Sequence, residues 1–341
     1  MDLQKLENTV EELLAPGQGI LAADESTGTI TKRFEANGIE SNEETRRDYR
    51  EMLFTTRGIG EFLSGVILFD ETIRQEASDG TPLRQVLEDQ GIVPGIKVDK
   101  STVALPLSPE EKFTEGLDGL GPRLDEYVEL GARFTKWRAV ITIGDGIPTP
   151  ACIGSNARSL ALYAAYCQNA GLVPIVEPEV LIDGDHSIEE CYDVSVETFR
   201  TTFEAMYQHG VEPTGMLLKP NMVISGKGAE RQAGVEEVAE LTVECLLRSV
   251  PAAVPGIMFL SGGQTQLQAT QHLNAMNQMY DNLPWELGFS YARALQEPPM
   301  EIWAGDSANV AEAQKAFYHR AKMNGAARSG SYSEAMEDEA A

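Results

Sequence analysis

Cysteine and histidine are scarce in this chain, with four of each among 341 residues. Cys152, Cys167, Cys191 and Cys245 stand far apart with no Cys-x-x-Cys pair, which excludes a disulfide scaffold and a zinc ribbon. His186, His209, His272 and His319 include no pair one, two or four residues apart, so no metal site built from several imidazoles is expected. The one tempting ligand is His186, in Asp183-Gly184-Asp185-His186. Basic residues are also few: 27 Lys plus Arg face 53 Asp plus Glu, a net charge of −26. That field repels nucleic acid and anionic membrane, and neither is an expected partner. It would repel a phosphorylated substrate too, unless basic side chains are gathered locally. No apolar run approaches the roughly 18 residues that span a bilayer. The start, Met1-Asp2-Leu3-Gln4-Lys5-Leu6-Glu7, lacks the basic and apolar regions of a signal peptide, so a cytoplasmic location is expected. Internal repeats, low-complexity tracts and Pro/Gly-rich linkers are missing as well, which argues against two domains.

What the chain does contain is short apolar runs alternating with helical patterns. Eight strand candidates cover residues 19–23, 65–69, 93–98, 133–140, 172–176, 215–218, 256–260 and 285–291. Their spacing matches repeated strand-plus-helix units joined by right-handed crossovers. Eight such units predict an α/β fold closed into a (β/α)8 TIM barrel, a single domain over residues 1–328. An extra N-terminal helix presents Leu3, Leu6, Val10, Leu13 and Leu14 on one face before Pro16-Gly17 stops it. The last apolar helix is expected over about 307–323. Residues 329–341 are small, polar and acidic, and read as a mobile tail.

The run Gly215-Met216-Leu217-Leu218-Lys219-Pro220-Asn221 strands a lysine at the end of an apolar strand. Burial beside Met216, Leu217 and Leu218 disfavours its charged form, and a neutral amine is a nucleophile suited to a Schiff base. A lysine that snorkels to water is the ordinary alternative. The pattern recurs, however, at Ile96-Lys97-Val98 and Phe134-Thr135-Lys136-Trp137. In a barrel, polar residues at the carboxyl ends of strands converge on one mouth. That inventory is Asp24, Lys97, Lys136, Arg138, Glu177, Glu179, Lys219, Ser261, and Ser290 with Arg293. Lys136 beside Lys219 is expected to depress the latter's pKa by like-charge repulsion, and Glu177 between Val176 and Pro178 to have its own raised by desolvation. A neutral amine with two carboxyls is what carbinolamine formation, dehydration and proton removal require. Taken singly, Asp24 and Glu177 also fit buried ion-pair partners for barrel lysines.

Phosphate recognition has its own signature. In Phe259-Leu260-Ser261-Gly262-Gly263-Gln264 the glycines let backbone N–H groups approach an anion, after the seventh strand, where barrels commonly hold phosphate. Arg293 can add a forked, charge-assisted contact. A second anion site could form from Ser26, Thr29 and Arg33, at the point where a strand gives way to a helix start. The same segment fits simple helix capping.

The segments Gly19-Ile20-Leu21-Ala22-Ala23-Asp24-Glu25-Ser26-Thr27-Gly28, Gly95-Ile96-Lys97-Val98-Asp99-Lys100, Lys136-Trp137-Arg138, Val176-Glu177-Pro178-Glu179, Leu218-Lys219-Pro220-Asn221, Leu260-Ser261-Gly262-Gly263-Gln264 and Phe289-Ser290-Tyr291 resemble class I fructose-bisphosphate aldolase, in order, over about residues 10–325. The resemblance implies a (β/α)8 barrel, a sugar phosphate substrate, no metal or other cofactor, and a cytoplasmic or plastid homotetramer. It implies that Lys219 forms the imine and that Glu177 is the acid/base for its formation and hydrolysis. Asp24 then takes the hydroxyl proton, Lys136 assists, and Glu179 belongs to the same catalytic group. Ser261, Gly262, Gly263, Ser290 and Arg293 are implied to hold the ketone-side phosphate. Ser26, Thr29, Arg33, Lys97 and Arg138 hold the rest of the sugar and the far phosphate. Two other readings stay open, a different Schiff-base enzyme, transaldolase-like or preferring sedoheptulose bisphosphate, and a non-catalytic phosphate-binding barrel. Animal relatives end in a tyrosine that reaches the site, whereas this chain ends Glu337-Asp338-Glu339-Ala340-Ala341. Tyr332 is the one tail residue able to imitate it, and the tail's charge argues against stable docking in a cleft full of anionic substrate.

Overall fold

In the computed structural model, residues 1–338 are described; the last three residues of the expected tail, 339–341, lie outside them. Among the described residues ten strands form: β1 Gly19–Ala23, β2 Leu63–Leu68, β3 Val93–Lys97, β4 Thr102–Leu105, β5 Ser108–Thr114, β6 Phe134–Ile141, β7 Val173–Val180, β8 Leu217–Leu218, β9 Gly256–Phe259 and β10 Glu286–Tyr291. Eight of them close into a parallel barrel in the order β1-β10-β9-β8-β7-β6-β3-β2, with helices between, as expected for a (β/α)8 barrel. The other two, β4 and β5, pair antiparallel as a hairpin between β3 and β6.

The alternation of side chains along each strand explains both the core and the mouth. On β6, Phe134 points into the barrel, and so, two and four residues later, do the positions of Lys136 and Arg138. On β7, Val173 and Ile175 share the inward parity with Glu177 and Glu179. In β8 Leu217 precedes Lys219, and in β1 Ile20 and Ala22 precede Asp24. Every one of these inward faces therefore begins apolar and ends charged. The apolar half forms a cluster of Ile20, Ala22, Ile67, Val93, Phe134, Val173, Ile175, Leu217 and Met258, joined from below by Leu6, Val10 and Leu13. Those three sit on one face of the helix Leu3–Leu13, whose N-cap Asp2 accepts a bond from Lys5 N–H. The N-terminal helix is thus the barrel's floor. Phe134 fills the width above it, and Gly95 gives it room: a Cβ there would fall 2.3 Å from the ring. At about 25 cal/mol per Å² of apolar surface, this plug and the outer layer against the helices dominate stability.

Three elements depart from expectation. The β4–β5 hairpin is exposed along β4 and half-buried along β5, where Glu111 is buried and accepts from Thr149; carrying Glu110, Glu111 and Lys112, it lacks the apolar alternation that marks barrel strands. The last helix, Val310–Arg328, runs past 323. Tertiary contact overrides Gly325: its bare backbone abuts Gly17, where a Cβ would meet the carbonyl oxygen at 2.7 Å, and Arg328 Nη2 donates to Leu14 O at 2.6 Å. Finally, the described part of the tail is packed. Gln278 donates to Gly330 O, Tyr332 N–H to Asn274, and Gln271 to Glu334, so the segment runs back along the helix Gln266–Met279 toward the mouth. Tyr332 is buried and bonds Glu337, whose carboxylate meets Arg320 at 2.6 Å and His319 at 3.1 Å. The tail's acidity finds a buried arginine on its own barrel, a partner that the electrostatic expectation omitted.

Candidate active site

The carboxyl ends of the barrel strands open into a cavity of about 710 Å³. Its lining includes Asp24, Ser26, Thr29, Arg33, Lys97, Lys136, Arg138, Glu177, Glu179, Lys219, Ser261, Gly262, Ser290 and Arg293, with Gly263 next in the chain. The strand parity described above brings the innermost of these together. Lys136 Nζ lies 2.6 Å from Asp24 Oδ2 and 3.2 Å from Glu177 Oε2, while Lys219 Nζ lies 3.3 Å from Glu177 Oε1. One carboxylate is shared by two amines. All four side chains are buried.

These contacts correct one electrostatic expectation. The two lysines share Glu177. Burial does push the Glu177 carboxyl upward, but the fields of Lys136, Lys219 and Arg138 outweigh it, and the net shift is downward. Asp24 follows the same balance: burial raises it, and Lys136, Lys219 and Lys97 hold it well below the usual carboxylate range. Lys136, burial notwithstanding, is raised above the ordinary lysine value by Asp24, Glu177 and Asp99. The cluster is a fixed lattice of charges, with Glu177 Oε2 buried and free of any well-aligned hydrogen bond.

Farther out, Arg138 Nε meets Glu179 Oε2 at 2.5 Å, and Lys97 Nζ meets Asp99 Oδ1 at 3.2 Å. Asp99 also accepts from the Arg138 backbone N–H. Arg33 is held by Glu25 at 2.5 Å; Glu25 in turn meets Arg50 at 3.1 Å and accepts from Gln296 at 2.9 Å. Asp99 and Glu25 were missed by sequence reasoning. Asp99 carried a signal, since it keeps the parity of Lys97 beyond the end of β3. Glu25 carried none: only folding brings Arg50 and Gln296 to it.

At the other side of the mouth, Gly262 and Gly263 adopt φ of +55° and +86°, and Gln264 N–H closes the turn on Ser261 O at 3.0 Å. Gln264 is pinned by a 2.6 Å bond with His272. Ser290 Oγ is buried without a partner, and Arg293 begins the helix Arg293–Trp303 with no ion pair among the described residues. Unsatisfied donors around a glycine turn and a helix N-terminus suit a phosphate. On the opposite wall Ser26 precedes the helix Thr27–Ala36, but its hydroxyl makes no capping bond and instead lies 3.1 Å from Thr29 Oγ1. Simple side-chain capping is therefore not its arrangement. His186 is buried in the loop after β7, both ring nitrogens unpartnered. It is not among the cavity's lining residues.

The chain matches the family model for class-I fructose-bisphosphate aldolase over residues 5–341. It is 56% identical to the probable fructose-bisphosphate aldolase class 1 of Xanthomonas campestris, over 97% of this chain and 99% of that one. It is 52% identical to the cytosolic fructose-bisphosphate aldolase 6 of Arabidopsis thaliana, covering 93% of this chain and 88% of the relative. Among solved structures, the fructose-bisphosphate aldolase of Plasmodium falciparum, in complex with TRAP and a small-molecule inhibitor, superposes with a TM-score of 0.95 at 46% identity, covering 97% of this chain and 96% of that one.

Proposed function

The chain belongs to the class-I fructose-bisphosphate aldolase family, and on that premise we propose that Lys219 carries the reversible cleavage of fructose 1,6-bisphosphate into dihydroxyacetone phosphate and glyceraldehyde 3-phosphate. The observation that carries this assignment is the sharing of Glu177 between the Lys219 and Lys136 amines at the floor of the cavity. To add to the ketone carbon, the Lys219 amine must give up a proton, and Glu177 is within reach to take it and return it to the carbinolamine hydroxyl, which leaves as water. The resulting protonated imine is an electron sink. Asp24 removes the proton of the substrate hydroxyl, the carbon–carbon bond breaks, and its electron pair passes into the imine to give an enamine. Glyceraldehyde 3-phosphate departs first. Protonation of the enamine by barrel groups or water, then hydrolysis assisted by Glu177, releases dihydroxyacetone phosphate.

Lys136 contributes by keeping Asp24 and Glu177 ionised as bases. Ser261, Gly262, Gly263, Ser290 and Arg293 bind the ketone-side phosphate, and Ser26, Thr29, Arg33, Lys97 and Arg138 bind the far end. Glu179 acts on Arg138, which it pairs at 2.5 Å. No metal enters any step. We further propose a cytoplasmic homotetramer, by analogy with the family and with the relative named cytosolic in Arabidopsis thaliana; light scattering on the eluted peak gives its mass.

Borohydride trapping tests the assignment. With dihydroxyacetone phosphate present, reduction should leave a stable adduct on the peptide containing Lys219, and Lys219→Ala should lose both adduct and turnover. An adduct on Lys136 instead would transfer the imine to that residue.

A further inference from the structure

Beyond the residues already assigned, one cation stands over the ketone-side phosphate turn. Lys227 lies eight residues past Lys219, in the loop after β8. Its backbone is fixed: Lys227 N–H donates to Ile182 O at 2.9 Å, Gly226 N–H to His186 O at 2.9 Å and Gly228 N–H to Gly184 O at 2.8 Å. Two loops are thereby zipped together, and only the lysine side chain, about half exposed, is left to move.

The side chain is aimed at Gly263. A Cβ built on that glycine would sit 3.0 Å from Lys227 Nζ and 3.1 Å from Arg293 Nη2, so the two cations converge on one point of the Ser261–Gly263 turn. Like charges this close repel. The molecule carries nearly twice as many acidic as basic groups, and most of its arginines are tied to carboxylates, yet here two cations face each other. Arg293 has no ion pair among the described residues. Among the described residues Lys227 has only Asp183 as an ion-pair partner, at 3.3 Å, and Asp183 is two-thirds exposed, which makes the pair weak and exchangeable. The unpartnered Ser290 Oγ lines the cavity with Arg293, and Lys227 stands just outside that lining.

Resting on the aldolase reading above, we propose that Lys227 is a substrate-binding residue that exchanges Asp183 for the ketone-side phosphate and closes over it opposite Arg293. The chemistry suits a lysine, whose compact charge on a flexible stem can change partners while the backbone stays fixed. A phosphate dianion between the two cations removes their repulsion. Lys227 touches no reacting atom, so it sets affinity for sugar phosphates that carry phosphate on the ketone side, and leaves the bond-breaking step alone.

The experiment compares two substrates, fructose 1,6-bisphosphate and fructose 1-phosphate, the second lacking the far phosphate. Lys227→Met should raise KM about threefold to tenfold for both substrates by similar factors, with kcat within about twofold of the parent; Lys227→Arg should restore most of the affinity. In the condensation direction, the variant's KM should rise for dihydroxyacetone phosphate and stay constant for glyceraldehyde 3-phosphate. An unchanged KM for both cleavage substrates, or a rise confined to the bisphosphate, overturns the assignment. Borohydride trapping of the parent at Lys219 is run alongside: trapping with an unchanged KM removes only the role of Lys227, whereas no trapping and no cleavage removes the aldolase reading together with it.

Discussion

The behaviour of Lys136 under acid separates a structural lysine from one that maintains two bases. Its removal leaves Asp24 with no cation closer than Lys219 and Lys97, in a site where unpaired carboxylates are costly. Lys136→Met should therefore destabilise the fold by about 3–5 kcal/mol at pH 8. The sign of the pH dependence follows from the shifts. Asp24 and Glu177 are held low in the folded protein, so their contribution is present above the unfolded carboxylate value and lost as pH falls through the folded one. Lys136 is raised, so its contribution is present below the unfolded lysine value and lost only in strong alkali. Between about pH 5 and 10 the parent cluster is flat. In the variant burial governs, the carboxyls take up protons more readily, and the deficit should narrow from pH 8 to pH 5. Urea unfolding of both proteins across that range measures it; a deficit independent of pH would mean that Lys136 does not govern those carboxyls. Lys136, Lys219 and Glu177 were legible in sequence because a charge inside an apolar run breaks the strand's alternation visibly. What was not legible is which charge dominates: residue types do not say that Glu177 lies between two amines, and the expected direction of its shift was reversed for that reason.

At the scale of elements, all eight barrel strands could be read because a strand buried on both faces must be apolar, and a helix must follow it before the next parallel strand. The hairpin, seated through Glu111 on Thr149 and through Thr114 on Asn156 and Arg138, the last turns of Val310–Arg328 and the packed tail obey contacts distant in sequence instead. The tail carries a prediction. It leans on the helix Gln266–Met279 through Tyr332 and on Arg320 through Glu337, but its described residues donate no group to the cavity lining. Truncation after Gly330 exposes the apolar seat of Tyr332 and leaves Arg320 buried without Glu337. Thermal melts should show a loss of about 2–4 kcal/mol, while kcat for cleavage below the melt falls less than twofold. A tenfold drop in kcat reproduced by Tyr332→Phe, with stability unchanged, would instead make Tyr332 part of the chemistry.

The whole molecule sets a surplus of negative charge against a mouth that collects positive charge. Lys97, Lys136, Arg138, Lys219, Arg33 and Arg293 gather around one cavity, while the remaining surface carries most of the 53 acidic residues. Screening shortens the reach of both fields to roughly 8 Å at physiological salt, so a substrate at the mouth feels the local cations more than the net −26. Asp24 and Glu177 are held below the ordinary carboxylate range by the lysines around them, and so resist protonation as the pH falls. Near the isoelectric point, about pH 4.5, the molecule should lose the repulsion that keeps copies apart while its central ion pairs persist. Turbidity is therefore expected to rise at that pH with helical circular dichroism intact, and return to pH 7.5 should restore cleavage activity in full. If helix content falls at a higher pH than turbidity appears, or activity does not return, acid acts on the fold before it acts on the surface, and the persistence of the Asp24–Lys136–Glu177 lattice fails with it.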